Sequence, residues 1–180
     1  MSDDRAVAGV ADAAEEVLRR RAEALARKPD AEATDDREAL LVFRVGQSWY
    51  AVRTGEVREI AQDPVVAAVP CVPEFIRGVT SVRGEIVSVT DAASLIGIAV
   101  EGRPPARVAL VLENAECVTA LGVDEVGGIV EVRSASLEPP LPTTTKALAE
   151  FVSATVFLEE GLVSVLSVGR ILQPVTVTAP

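Results

Sequence analysis

The chain has 180 residues, enough for one medium domain or two small ones. Its 17 Lys and Arg against 27 Asp and Glu give a formal charge of −10, which argues against a nucleic-acid binder, because neutralising phosphates needs clustered cations. With 49% hydrophobic residues and no histidine, the composition calls for a buried core and excludes imidazole metal ligands and any Ser-His-Asp triad.

Residues 1–38 carry a helical stripe, Val7, Val10, Ala14, Val17, Leu18 and Leu25, that ends before Pro29 and is followed by the polar linker DAEATDD. This predicts a helical extension, either solvated or docked on its own domain or on a partner. The acidic N-terminus has no long apolar run. Neither signal peptide nor membrane anchor is expected, and a cytoplasmic protein without direct membrane insertion follows.

From Leu40 the texture changes to short apolar runs broken by turns, in a chain rich in Val with 12 Gly and 11 Pro. LLVFRV, Gly46-Gln47 and SWYAVR predict a hairpin. EVREI reads as one helical turn, and PVVAAVP as an edge strand or extended crossing. GVTSVR and IVSVTD predict a second hairpin, and AASLIGI a turn or two of helix. RVALVLE and CVTALG form another hairpin, followed by VDEVGGIVEVR, the Pro-rich loop SASLEPPLPTTT, and a last pair, FVSATVFL and LVSVLSV. Cys71 and Cys117 are far apart with no CxxC; they read as two buried thiols or, alternatively, as a disulfide.

The two halves resemble each other. Glu74-Phe75 with Val87-Ser88-Val89 reappears as Glu150-Phe151 with Val163-Ser164-Val165, 76 residues later, and Glu56-Val57 as Glu125-Val126, 69 residues later. Ordered matches on one strand-turn-strand pattern argue for a duplicated β unit. Units of roughly 55–60 residues bury little surface alone, so the two are expected to share a core or pack tightly. The predicted architecture is all-β: two small antiparallel barrels with a pseudo-twofold relation, plus the N-terminal helical extension. The predicted division is 1–38 for extension and linker and 39–180 for the domain, with barrel subdomains at roughly 39–100 and 106–172.

No phosphate loop, dinucleotide fingerprint or nucleophile elbow is present. Asp91, at a strand end, reads as a cap for the following helical turn. No catalytic residue, metal site or cofactor is predicted, which leaves a binding module. One contrast stands out: the hairpin turn Arg83-Gly84 corresponds to Glu159-Glu160 in the second half.

LLVFRVGQSWYAV, EVREI, VPCVPEFIRGVTSVRGEIVSVTD and LGVDEV resemble the CheW-like domain of bacterial chemotaxis, over about Leu40 to Leu172. The most specific part is Pro73 to Asp91, where Ser81-Val82-Arg83-Gly84 stands at the family's Asn-Leu-Arg-Gly motif. The resemblance implies two five-stranded SH3-like β-barrels. It also implies a non-catalytic adaptor that couples the cytoplasmic tip of chemoreceptors to the regulatory domain of a CheA-type histidine kinase, recruited from the cytoplasm to receptor arrays. An SH3-like module scaffolding a different signalling kinase is the alternative. By motif, Arg83 and Glu59 are the signature arginine and acid, implied to pair near a receptor groove. Val57, Val82 and Gly84 complete the expected contact set. Ser81 and Val82 depart from the motif, which implies a receptor partner different from that of a housekeeping adaptor, and the N-terminal helix of residues 6–27, longer than the short arm of the simplest members, implies an alternative chemosensory pathway.

Overall fold

The structure is a computed structural model, and it describes residues 36–98, 105–142 and 144–173. The expected N-terminal helix lies outside the described residues; at the end of the expected linker, Arg37 and Glu38 already belong to a strand.

Among the described residues, ten strands and three short α-helices follow in order: β1 (Arg37–Val45), β2 (Ser48–Arg53), β3 (Val57–Gln62), β4 (Ile76–Val82), β5 (Glu85–Asp91), α1 (Ala92–Leu95), β6 (Val108–Glu113), β7 (Val118–Val123), β8 (Glu125–Arg133), α2 (Lys146–Ala149), β9 (Val152–Leu158), β10 (Gly161–Leu166) and α3 (Val168–Ile171). All four predicted hairpins are present. EVREI is not a helical turn but the start of β3, after a 3-10 turn at Thr54–Glu56. The misreading has a physical source. The pairing of β3 with β6 shifts between Val57 and Glu59, leaving Arg58 as a bulged residue. A bulge breaks the two-residue alternation of a strand, so Val57 and Ile60 fall at a helix-like spacing.

The strands form two five-stranded sheets, ordered β8-β1-β2-β10-β9 and β3-β6-β7-β5-β4. The expected boundary near residues 100–106 is therefore not the boundary between the sheets. The first sheet takes β1 and β2 from the first repeat and β8 to β10 from the second; the second sheet takes the remainder. Each sheet is built by exchange, two strands from one repeat and three from the other.

The repeat itself is present in atomic detail. Ser88 and Val89 of β5 run parallel to Thr119 and Ala120 of β7, and Ser164 and Val165 of β10 run parallel to Tyr50 and Ala51 of β2. Asp91 N–H donates to the Phe75 carbonyl at 2.7 Å, and Ser167 N–H donates to that of Phe151 at 2.8 Å. Even the bulge recurs, for Gly127 on β8 stands where Arg58 stands on β3.

Exchange explains how such small units bury enough surface. One apolar cluster is shared by the two sheets: Leu41, Phe43 and Tyr50 from the first, Leu110, Leu112 and Leu121 from the second, with Ile96 beyond α1 and Leu166 of β10. A fully buried Leu or Phe contributes about 2–3 kcal/mol. Each sheet also wraps its own interior. Leu40, Val42, Val132 and Val156 fill the first, and Val82, Val87, Val111 and Ala120 the second. Because β1 is buried on both faces, LLVF is a continuous apolar run rather than an alternating one. Val132 and Val156 come from opposite edges of the first sheet, so that sheet is curled. The bonded order of each sheet nevertheless has two ends.

Candidate functional site

The hairpin of β4 and β5 turns through two residues, Arg83 and Gly84, closed by the facing pair Val82 and Glu85. Both turn residues have positive φ, 50° and 86°. That is the backbone of a type I′ turn, whose twist suits the flanking strands. Glycine adopts it without a Cβ clash, whereas a long side chain at the first position is uncommon.

From this turn Arg83 extends with 77% of its side chain exposed, and its Nε–H donates to Glu59 Oε2 at 2.8 Å. Glu59 sits on β3 and is 18% exposed. Strands β3 and β4 are the two edges of one sheet, so this contact joins edges that meet only because the sheet curls. Arg58 makes a second link across the same seam. Its Nη1 lies 2.8 Å from Glu85 Oε2 and 3.8 Å from Glu113 Oε2, and its Nε lies 3.9 Å from Glu59 Oε1. The pKa of Arg58 is raised above its ordinary value, first by the hydrogen bond to Glu85; partial desolvation opposes this, and the charges of Glu85, Glu113 and Glu59 add to it.

The structure thus brings Arg83, Gly84 and Glu59 together at one rim, with the paired geometry expected of the two charged residues. Val57 lies beside Glu59, half-buried opposite Leu112 and packed on the shared core. Val82 is a correction. It is 7% exposed and points into the interior of its sheet with Val87 and Val89. Alternation along β4 turns Ser81 outward and Val82 inward, so Val82 supports the turn from beneath and offers no surface to a partner.

Two concavities lie elsewhere. The larger, about 930 Å³, runs between Phe75, Ile76 and Thr119 on one side and Phe151 and Ile171 on the other. The smaller, about 440 Å³, lies beside Arg77 and Asp91. None of the five expected residues lines either one. Asp91 has the capping role read from its position: Oδ1 accepts from Ser94 N–H at 2.9 Å and Oδ2 from the Arg77 guanidinium at 3.1 Å. Cys71 and Cys117 are free thiols on the larger concavity, but Cys71 is exposed and Cys117 half-buried, so the expectation of two buried thiols is corrected. Cys71 sits in an exposed loop ahead of β4.

The second repeat serves as an internal control. There Arg58-Glu59 is replaced by Gly127-Gly128, and Arg83-Gly84 by Glu159-Glu160. The fold keeps the bulge and the hairpin in both halves and the charged seam in one. A different surface marks the second half. Phe157 and Leu162 face each other across the hairpin, 79% and 45% exposed, next to Glu159-Glu160. Their signal in sequence was faint: Phe157 falls in the outward phase of a strand whose neighbour Val156 points inward. Arg58 was missed because the bulge that aims it gives Val57 and Ile60 a helix-like spacing, which hid the strand.

A family model described as a CheW-like domain matches residues 39–175. Protein PilI of Pseudomonas aeruginosa is 28% identical over 118 residues, which cover 66% of this chain and 66% of that protein. A probable chemotaxis protein CheW of Rhizobium etli is 25% identical over 131 residues, covering 73% of this chain and 84% of that one. Among solved structures, the scaffolding protein TtCheW of Thermoanaerobacter tengcongensis superposes with a TM-score of 0.65 at 25% identity, over 72% of this chain and 88% of that chain.

Proposed function

The chain belongs to the CheW-like domain family, and from that premise we propose that it is a non-catalytic adaptor coupling the cytoplasmic tip of a chemoreceptor to a CheA-type histidine kinase. In this reading each curled sheet is an SH3-like barrel, and the protein works in the cytoplasm, recruited to receptor arrays. The observation that carries it is the charged seam of Glu59 and Arg83, present in one repeat and replaced by glycines and acids in the other. A scaffold maintained for stability alone has no need of that asymmetry.

An adaptor needs two faces on a rigid body. The receptor-facing rim is Glu59, Arg83 and Gly84, with Val57 beside them and Val82 beneath. Ile86, 75% exposed, and Ile60, 41% exposed, supply apolar contact next to the charges. Such a mixed rim suits an amphipathic helical hairpin. The kinase-facing surface is the other hairpin, where Phe157 and Leu162 are exposed. Individual contacts can be weak, because an array holds each adaptor at several points.

A pull-down of the full chain with receptors and kinase from the same cell tests the proposal. Arg83→Glu should release the receptor and keep the kinase. Phe157→Ser, which installs the residue found at the equivalent Ser81, should do the reverse. Capture of an unrelated kinase and no receptor would favour a scaffold outside chemosensing.

A further inference from the structure

Arg58 is not among the residues the motif assigns to the site, yet it lies within 4 Å of three carboxylates there. It is the bulged residue of an edge strand, and bulges re-aim side chains. Here the bulge sends a guanidinium among three carboxylates from three strands: Glu85 at 2.8 Å, Glu113 at 3.8 Å and Glu59 at 3.9 Å. Glu59 needs such a neighbour. Its Oε2 accepts from Arg83, whereas its Oε1 is buried and accepts no hydrogen bond. The second repeat shows that the bulge does not require an arginine, since Gly127 occupies it there. A Cβ at Gly127 would come within 2.9 Å of the Trp49 ring, so that half uses the same backbone feature for packing.

We propose that Arg58 is the positioning residue that decides which carboxylate Arg83 pairs with, and thereby presents Arg83 to the partner; this rests on the receptor contact proposed above. Glu85 lies two residues from Arg83 on the same hairpin and is 52% exposed, a ready competitor for the guanidinium. By occupying Glu85 and Glu113, Arg58 leaves Glu59 as the acceptor for Arg83. Without it, three carboxylates share one cation, and Arg83 turns back over its own hairpin toward Glu85. The rim then loses the geometry in which Arg83 spans the seam.

The test uses full-length protein and two independent readings. The first is the Arg83 Nε–H resonance in nitrogen-proton spectra, which reports whether that proton is held by Glu59. The second is affinity for a receptor signalling-tip fragment. Arg58→Gln should shift the Arg83 resonance to that of a Glu59→Gln reference and weaken tip binding about fivefold. Arg58→Lys, which keeps a cation in the same place, should retain most of both. Arg58→Gln combined with Glu85→Gln and Glu113→Gln, which removes the competitors as well, should restore the resonance, an effect that a general structural role of Arg58 would not produce. An unchanged Arg83 resonance in Arg58→Gln overturns the proposal. So does a lost resonance in the triple variant, which also decides the matter should Arg58→Gln fail to fold. A shifted resonance with unchanged tip binding upholds the positioning role and instead removes the receptor contact on which it was placed.

Discussion

Glu59 lies on one edge strand of a five-stranded sheet and Arg83 in the turn that ends the opposite edge strand, and their side chains meet at 2.8 Å. The seam is therefore bridged by side chains at this point. Both halves also carry a backbone bridge outside the named strands, Ala67 to Val79 in one and Glu138 to Thr155 in the other. That bridge is common to the two repeats and the ion pair is not. The pair is an addition to the scaffold, set where the sheet edge meets solvent.

Reversing the charge of Arg83 separates structural from functional roles. Arg83→Glu should leave the circular dichroism spectrum native and cost less than about 1 kcal/mol, since an ion pair this exposed contributes little. Receptor-dependent kinase activation should fall steeply, because two carboxylates would then face each other at the rim. Glu59→Arg with Arg83→Glu should recover part of it. Wild-type activation by the single variant would sink the assignment of this rim.

Val82 should behave as a core residue. Val82→Ala is expected to destabilise the protein by about 1–2.5 kcal/mol in urea unfolding. Binding to the receptor tip, measured well below the melting temperature, should stay within about twofold of wild type. A larger loss of binding with unchanged stability would return Val82 to the contact surface.

Gly78 is the less substitutable of the two glycines in the β4–β5 hairpin. Its φ is 143°, and an added Cβ would fall 2.1 Å from the Ala67 carbonyl oxygen, which accepts from Val79 N–H at 2.9 Å. Gly78→Ala should cost more than about 2 kcal/mol, combining backbone strain with loss of that bridge. Thermal unfolding checks this. Gly84→Ala is the contrast, since nothing lies within 4 Å of its would-be Cβ and only the positive φ opposes it.

Glu56 gives a pH dependence of known sign. Burial raises its pKa above the ordinary 4.5, with Arg53 partly offsetting this, and its Oε2 is buried without a hydrogen-bond donor. The folded protein then holds this proton to higher pH than the unfolded chain. The stability from this group is fully present below the unfolded value and declines as pH rises through the folded one. Glu56→Gln should stabilise the protein at pH 7 by well under about 1 kcal/mol in thermal unfolding, because the group is largely solvated. The gap should close as the pH falls below about 4.5. A gap that widens on acidification would contradict the assignment.

Much of this protein is local and therefore legible from residues alone. Hairpins are specified by apolar runs and the turn chemistry between them, so their positions followed from LLVFRV, Gly46-Gln47 and SWYAVR, and from Arg83-Gly84. The duplication was legible because packing demands repeat when a unit repeats, and the offsets of 69 and 76 residues persist in the strand pairings. Which strands share a sheet was not legible. Pairing of β2 with β10 or β5 with β7 joins segments far apart in the chain, and nothing in either strand names its partner. Only the tertiary structure decided the exchange between repeats, because burying small Val-rich units drives them into a common core. It decided Val82 against the surface, through the phase of β4 relative to that core. It also decided Arg58, since a bulge is a mismatch between two strands and exists only once they are paired.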